Sequence, residues 1–136
     1  MKNTQVKRLL SVCLLMLLLA ACSDKQNQKI VGIWKLNTLE VNGVSIQGES
    51  LGNWLWEFNE EGGYLINVAG AIEKGRYTFD KNNLTLKSIT SKDRPEQHYT
   101  VEKLDSASLN LTSVTDKNTS KLNFIKIDEG ELGEKD

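Results

Sequence analysis

Few side chains in this sequence have the means to do chemistry. There is one histidine, His98, and there are two cysteines, Cys13 and Cys22. His98 stands two residues after Glu96 and next to Tyr99. A lone imidazole with no thiol or second imidazole at ligand spacing lacks the partners of a metal site or a general base, so it reads as an exposed or capping residue. Glu60 and Glu61 are adjacent, with Glu57 shortly before them. An acid–base pair needs carboxylates that converge across a cleft, whereas neighbours at a hairpin tip point into water. Asp80, Asp105 and Asp116 fall in turn clusters, where a short carboxylate bonds its own backbone. No stretch has the alternating oxygen ligands of a calcium loop. The expectation is a non-enzymatic protein with no catalytic residues, no metal ligands and no cofactor. The thiol that remains of interest is Cys22, directly after Leu19-Ala20-Ala21.

The segment that leads to Cys22 has a recognisable build. Lys2, Lys7 and Arg8 give a basic start, and residues 9–21 form an apolar run broken only by Ser11 and Cys13. A charged n-region, a short apolar run and small residues before a cut mark a secretory signal peptide, and the run is short of the roughly 20 residues that span a bilayer. Leu19-Ala20-Ala21-Cys22 resembles the lipobox of bacterial lipoproteins. The resemblance implies that the Cys22 thiol takes a diacylglyceryl group, that residues 1–21 are removed, and that the new α-amine is acylated. Each buried acyl CH₂ is worth about 0.8 kcal/mol, so two or three chains anchor a protein firmly. Ser23 after the cysteine resembles the sorting signal for the outer membrane of a Gram-negative bacterium. The expected location is therefore the cell envelope, with the membrane as a partner through the lipid.

The signal carries three of the 17 basic residues and none of the 18 acidic ones, so the rest of the chain is acidic. With no basic patch carrying interleaved aromatics, nucleic acid is not an expected partner. Once Cys13 leaves and Cys22 is lipidated, no thiol remains for a disulfide, and the domain depends on its hydrophobic core.

Residues 22–29 are polar and aperiodic, a tether. From Ile30 onward, short segments rich in β-branched and aromatic residues alternate with Gly, Asn, Asp and Ser clusters about every 10 residues. The predicted strands are 30–41, 54–59, 63–68, 73–79, 84–89, 97–104, 108–114 and 119–127, with a brief return at 44–47 after the hairpin signal Asn42-Gly43. Trp54, Trp56 and Phe58 share one face of their strand, and Tyr64, Ile66 and Val68 share one face of the next. No segment holds a helical period over two turns. About eight antiparallel strands with short connections predict an up-and-down meander, and closure into a small β-barrel hides its edges. The barrel domain is expected over 30–127, with a charged, frayed tail over 128–136.

The opening Gly32-Ile33-Trp34 resembles the Gly-x-Trp start of lipocalins. Trp56-Glu57-Phe58 before an acidic-glycine turn, Tyr64, Gly75-Arg76-Tyr77 and Leu109-Asn110-Leu111 come after it in the order such domains show. The second and third lipocalin signatures are not recognisable, which points to the looser bacterial lipocalin-like group. The resemblance implies that Gly32 lets the chain cross the barrel end closely and that Trp34 plugs the base. An arginine commonly covers that tryptophan in lipocalins; the last strand here offers only Lys121 and Lys126, so the closure must differ. Trp54, Trp56, Phe58, Tyr64 and Tyr77 are the candidate ligand-binding residues, with Phe79, Tyr99 and Phe124 completing the aromatic set. Side chains this large on strands this short favour a mostly filled interior, and a cavity for one small apolar ligand is the alternative. The expected function is binding of a small apolar molecule or another envelope protein. A protein-interaction or inhibitor module acting through loops 48–53 and 90–96, over a filled core, is the second reading.

Overall fold

The computed structural model describes residues 29–132; the expectations for the signal, for Cys22 and for nearly all of the tether lie outside the described residues. In chain order the elements are β1 (Gly32–Val41), β2 (Val44–Gln47), the one-turn helix α1 (Gly48–Leu51), β3 (Trp54–Phe58), β4 (Gly63–Val68) and β5 (Ala71–Asp80). They continue with β6 (Asn83–Ser88), β7 (Gln97–Leu104), β8 (Ser108–Val114), β9 (Thr119–Ile127) and a 3₁₀ turn over Glu129–Leu132. Neighbouring strands pair antiparallel in the order β2-β1-β3-β4-β5-β6-β7-β8-β9, and β1 also pairs with β9. That last ladder closes β1 and β3 to β9 into an eight-stranded barrel, as the period-two pattern predicts. The short β2 pairs with the second half of β1, Thr38 to Val41, while β3 pairs with the first half, Gly32 to Lys35.

The turns are set by the residues in them. Asn42 (φ 52°) and Gly43 (φ 84°) take the left-handed conformation that a two-residue hairpin needs. Ala69 (φ 51°) and Gly70 (φ 91°) do the same, helped by Asn67 Oδ1 accepting from the Gly70 N–H at 3.0 Å. This turn lets β5 start at Ala71, two residues before the predicted boundary.

Strict alternation fails at two places. The β1–β9 register skips Asn37 and the β7–β8 register skips Glu102. A bulge adds one residue on one side of a ladder, so the face that looks inward changes parity. In β1 the inward set passes from Trp34 and Leu36 to Leu39; in β7 it passes from Val101 to Leu104.

The core contains Trp34, Leu36, Trp56, Phe58, Tyr64, Leu84, Leu86, Leu109, Leu111, Leu122 and Phe124 among others, with no buried charged residue among those described. One end of the barrel carries the turns at 59–62, 81–82 and 105–107 and is closed by Ile30 and Trp34, both 0% exposed. The Trp34 indole Nε1 donates to the Ile30 carbonyl at 2.8 Å, so the entering segment is bonded to the plug. Gly32 has φ 138°, and a Cβ there would stand 2.6 Å from Lys126 Cε. Its bare backbone lets the Lys126 stem lie across the barrel end, with Nζ 5.2 Å from the centre of the Trp34 ring. Lysine thus covers the tryptophan where an arginine is usual, which is how this closure differs. Tyr64 lies opposite Gly75, and its ring fills the space over that glycine.

Candidate functional site

The other end of the barrel, which carries the turns at 69–70 and 115–118 and the loop 89–96, opens into a cavity of about 450 Å³. This lies in the lower part of the usual small-molecule range of roughly 300–1,000 Å³. Its walls come from opposite sides of the ring: Trp54 and Trp56 of β3, Ile66 and Val68 of β4, Tyr99 of β7 and Leu122 of β9. The interior is therefore divided. The closed half is filled, as large side chains on short strands predict. Toward the open end Trp54, Val68 and Tyr99 wall the cavity, with Tyr99 of β7 reaching the Trp56 ring of β3 at its floor.

The aromatic candidates separate along this division. Trp54 and Trp56 line the cavity. Trp56 is held in place by rings on three sides, with centroids at 4.9 Å from Phe124, 5.6 Å from Tyr99 and 6.3 Å from Phe58. Phe58 and Tyr77 lie outside the cavity wall and pack edge to face at 5.0 Å, where the Tyr77 hydroxyl donates to the Asn59 carbonyl at 2.8 Å. Tyr64 also stands outside the wall, but its hydroxyl donates to Glu73 Oε1 at 2.8 Å, and Glu73 is a wall residue. Gly32 and Trp34 belong to the closed end and touch no part of the cavity.

The polar part of the site is a small cluster at the mouth. Glu73 on β5 is paired with Arg94, which reaches in from the loop after β6; the carboxylate side chain is 14% exposed and the guanidinium side chain 47%. Ser91 and Gln97 stand beside them in the wall. Burial, then the hydrogen bond to Glu73 and its charge, push the Tyr64 phenol well above its usual range. Burial, and after it the nearby Glu73 charge, pushes Tyr99 up to about 12, with Arg94 opposing. Both phenols are therefore neutral across the physiological range. The Glu73–Arg94 pair leaves the mouth close to neutral as well.

Sequence reasoning did not single out Glu73 or Arg94. A signal for Glu73 exists: counting back in twos from Phe79 and Tyr77 passes through Gly75 and arrives at Glu73, so the alternation turns this carboxylate inward. Arg94 carries no comparable mark, since it sits in an aperiodic loop. The other polar candidates are placed as expected. His98 is exposed, with Nδ1 3.2 Å from Thr85 Oγ1, and Glu60 and Glu61 are exposed at the β3–β4 tip. Asp105 Oδ1 accepts from the N–H groups of Ala107 and Ser108 at 2.9 and 2.8 Å, which holds its carboxyl below the usual range.

Comparison with solved structures agrees with this architecture. A lipocalin-like protein from Bacteroides uniformis superposes with a TM-score of 0.58 at 18% identity, over 73% of this chain and 99% of that one. An uncharacterized protein from Bacteroides eggerthii gives a TM-score of 0.54 at 17% identity, over 72% of this chain and 99% of that one. No protein-family profile matches the chain, and no curated protein matches it significantly. The fold is that of a lipocalin-like barrel.

Proposed function

We propose that this chain is a membrane-anchored envelope lipoprotein whose barrel is a non-enzymatic binding domain for a small apolar ligand. The observation that carries the reading is the cavity of about 450 Å³ walled by Trp54, Trp56, Ile66, Val68, Tyr99 and Leu122, with polar groups confined to its mouth. A concave apolar wall with a few convergent polar groups is the usual form of a small-molecule site. The anchor rests on Leu19 to Cys22, and the outer-membrane location rests on Ser23. The chain enters the barrel at the closed end, through Ile30, so a lipid at Cys22 is joined to the end away from the mouth.

Two measurements test this. Organic extraction of the purified domain, then mass spectrometry, is expected to yield a small apolar compound that a Trp54→Ala variant retains less well; repeated extraction with no bound compound counts against the binding reading. Growth in labelled palmitate is expected to label the wild-type chain and not Cys22→Ala, and label kept by the variant removes the anchor.

A second reading, docking of another envelope protein, draws on Val44, Ile72, Ile89 and Val114, large apolar side chains exposed at the open end. Cross-linking in intact membranes is expected to give a stoichiometric partner only under that reading.

A further inference from the structure

The cavity at the open end has a floor as well as walls. The Trp56 ring of β3 meets Tyr99 of β7 at a centroid distance of 5.6 Å and Phe124 of β9 at 4.9 Å, so rings from three strands meet across the interior at one level. Trp56 is 4% exposed and borders the cavity, whereas Phe58, two residues further along β3, lies outside it and packs on Tyr77. The charged groups of the wall, Glu73 and Arg94, stand at the mouth with Ser91 and Gln97. Arg94 gives one N–H to Glu73, and its guanidinium, on a side chain 47% exposed, keeps other N–H groups for a second partner. The site is thus polar at the mouth, apolar along its walls and shut at the bottom.

A cavity of this form selects by length. On β4 the wall runs from the turn at 69–70 down to Ile66. That is about four residues, and at roughly 3.4 Å per residue with a barrel tilt of roughly 35–45° the depth is about 10 Å. An extended chain advances roughly 1.3 Å per bond, so about eight carbons reach from the mouth to the Trp56 ring. Resting on the binding function proposed above, we infer that the ligand is a short-chain amphiphile, its polar head beside Arg94 and Glu73 and its apolar chain running in to Trp56, and that the Trp56 ring sets the longest chain the site accepts. A carbon added within that limit leaves water for the apolar wall and raises affinity. A carbon beyond it stays in water or lifts the head off the mouth cluster, and adds nothing. The floor does not give way, because rings packed at protein density move only at the cost of strain.

The test titrates the straight-chain alcohols from hexanol to dodecanol into residues 22–136, with Cys22→Ser so that no attached lipid competes for the cavity. Affinity is read from tryptophan fluorescence, since Trp54 and Trp56 both border the cavity and one remains in each variant below. It is expected to rise about fourfold per CH₂ up to octanol and then to level off. In Trp56→Leu the levelling is expected to move to decanol, because the smaller side chain opens space toward Phe58. Trp54→Leu widens the wall and leaves the floor, so the levelling is expected to stay at octanol whatever the absolute affinities do. Should Trp56→Leu fail to fold, Trp56→Phe takes its place, with a smaller move in the same direction. Levelling at one length in every variant, or an equal move in Trp54→Leu, overturns the role of Trp56. A rise unbroken through dodecanol overturns the length limit, and each of these results leaves the binding reading standing. Binding of no alcohol to the wild type overturns the inference and the binding reading together.

Discussion

Gly75 is the position where one methyl group should do the most damage. It lies in β5 opposite Ser88 on one side and Tyr64 on the other. A Cβ built there would stand 2.1 Å from the Lys87 carbonyl oxygen and 2.6 and 2.7 Å from two carbons of the Tyr64 ring. None of these is the loose end of a flexible side chain. The carbonyl belongs to the β6 backbone, and the ring is buried with its hydroxyl tied to Glu73. Restoring ordinary contact means moving backbone or ring by about 1 Å, and overpacking of this kind costs roughly 1–3 kcal/mol. Because a ladder strand must yield, Gly75→Ala is expected at the upper end, about 3 kcal/mol. For a domain of this size that lowers the melting temperature by roughly 12–24 °C. Urea unfolding monitored by circular dichroism gives the free energy directly. Gly63→Ala is the milder comparison: the three atoms nearest its Cβ all belong to the Asn59 side-chain amide, the nearest at 2.7 Å, and that amide can move aside by giving up the hydrogen bond it accepts from the Gly63 N–H, so a loss of about 1 kcal/mol is expected. If Gly75→Ala is within about 0.5 kcal/mol of wild type, or no worse than Gly63→Ala, the close approach of Tyr64 and β6 to this glycine is wrong.

Stability should also fall in alkali. Tyr99 titrates near 10 when unfolded and at about 12 when folded. Between those values the unfolded chain has released a proton that the folded chain keeps, so rising pH favours unfolding, by roughly 2–3 kcal/mol at pH 12 from this group. Denaturation midpoints from pH 8 to 12 should show the fall, and Tyr99→Phe should flatten part of it; an unchanged slope in the variant contradicts the assignment. Trp34→Phe strands the Ile30 carbonyl and leaves a void at the closed end, for an expected loss of roughly 2–4 kcal/mol in urea unfolding. Lys126→Met keeps most of the stem over Gly32 but removes the charge above the Trp34 ring, and a loss of about 0.5–1 kcal/mol is expected, smaller than that of Trp34→Phe in the same assay.

Most of the barrel could be read in advance because an antiparallel strand with one face inside must alternate, and Trp54-x-Trp56-x-Phe58 or Leu109-x-Leu111 do so openly. Hidden from such a reading are the places where geometry departs from alternation without changing composition. Asn37 and Glu102 look like ordinary outward polar residues, yet each shifts the parity of the later residues in its strand. The site was legible only in part for a related reason. Aromatic residues of one stripe share a face, but how far along the barrel each sits depends on register and strand tilt. So Trp54 and Trp56 meet the cavity while Phe58, two residues on, is packed into the closed half. Arg94 depends on how an aperiodic loop folds back, which local pattern does not encode.

The skipped residue in β1 has a consequence for what the chain can lose. Elsewhere in a barrel strand, the matching bulge at Glu102 apart, deleting one residue turns every later side chain inside out. At position 37 the reverse holds: with Asn37 gone, Leu36, Thr38 and Leu39 would face Phe124, Asn123 and Leu122 in an unbroken ladder, and nothing downstream would change sides. The local bend would flatten, and Gly48, whose absent Cβ would approach the Leu36 and Asn37 carbonyls to 2.8 and 2.7 Å, would lose its seat. Length variation among distant barrels of this kind therefore has a natural place inside a strand, where turns are usually thought to be the sole refuge for it.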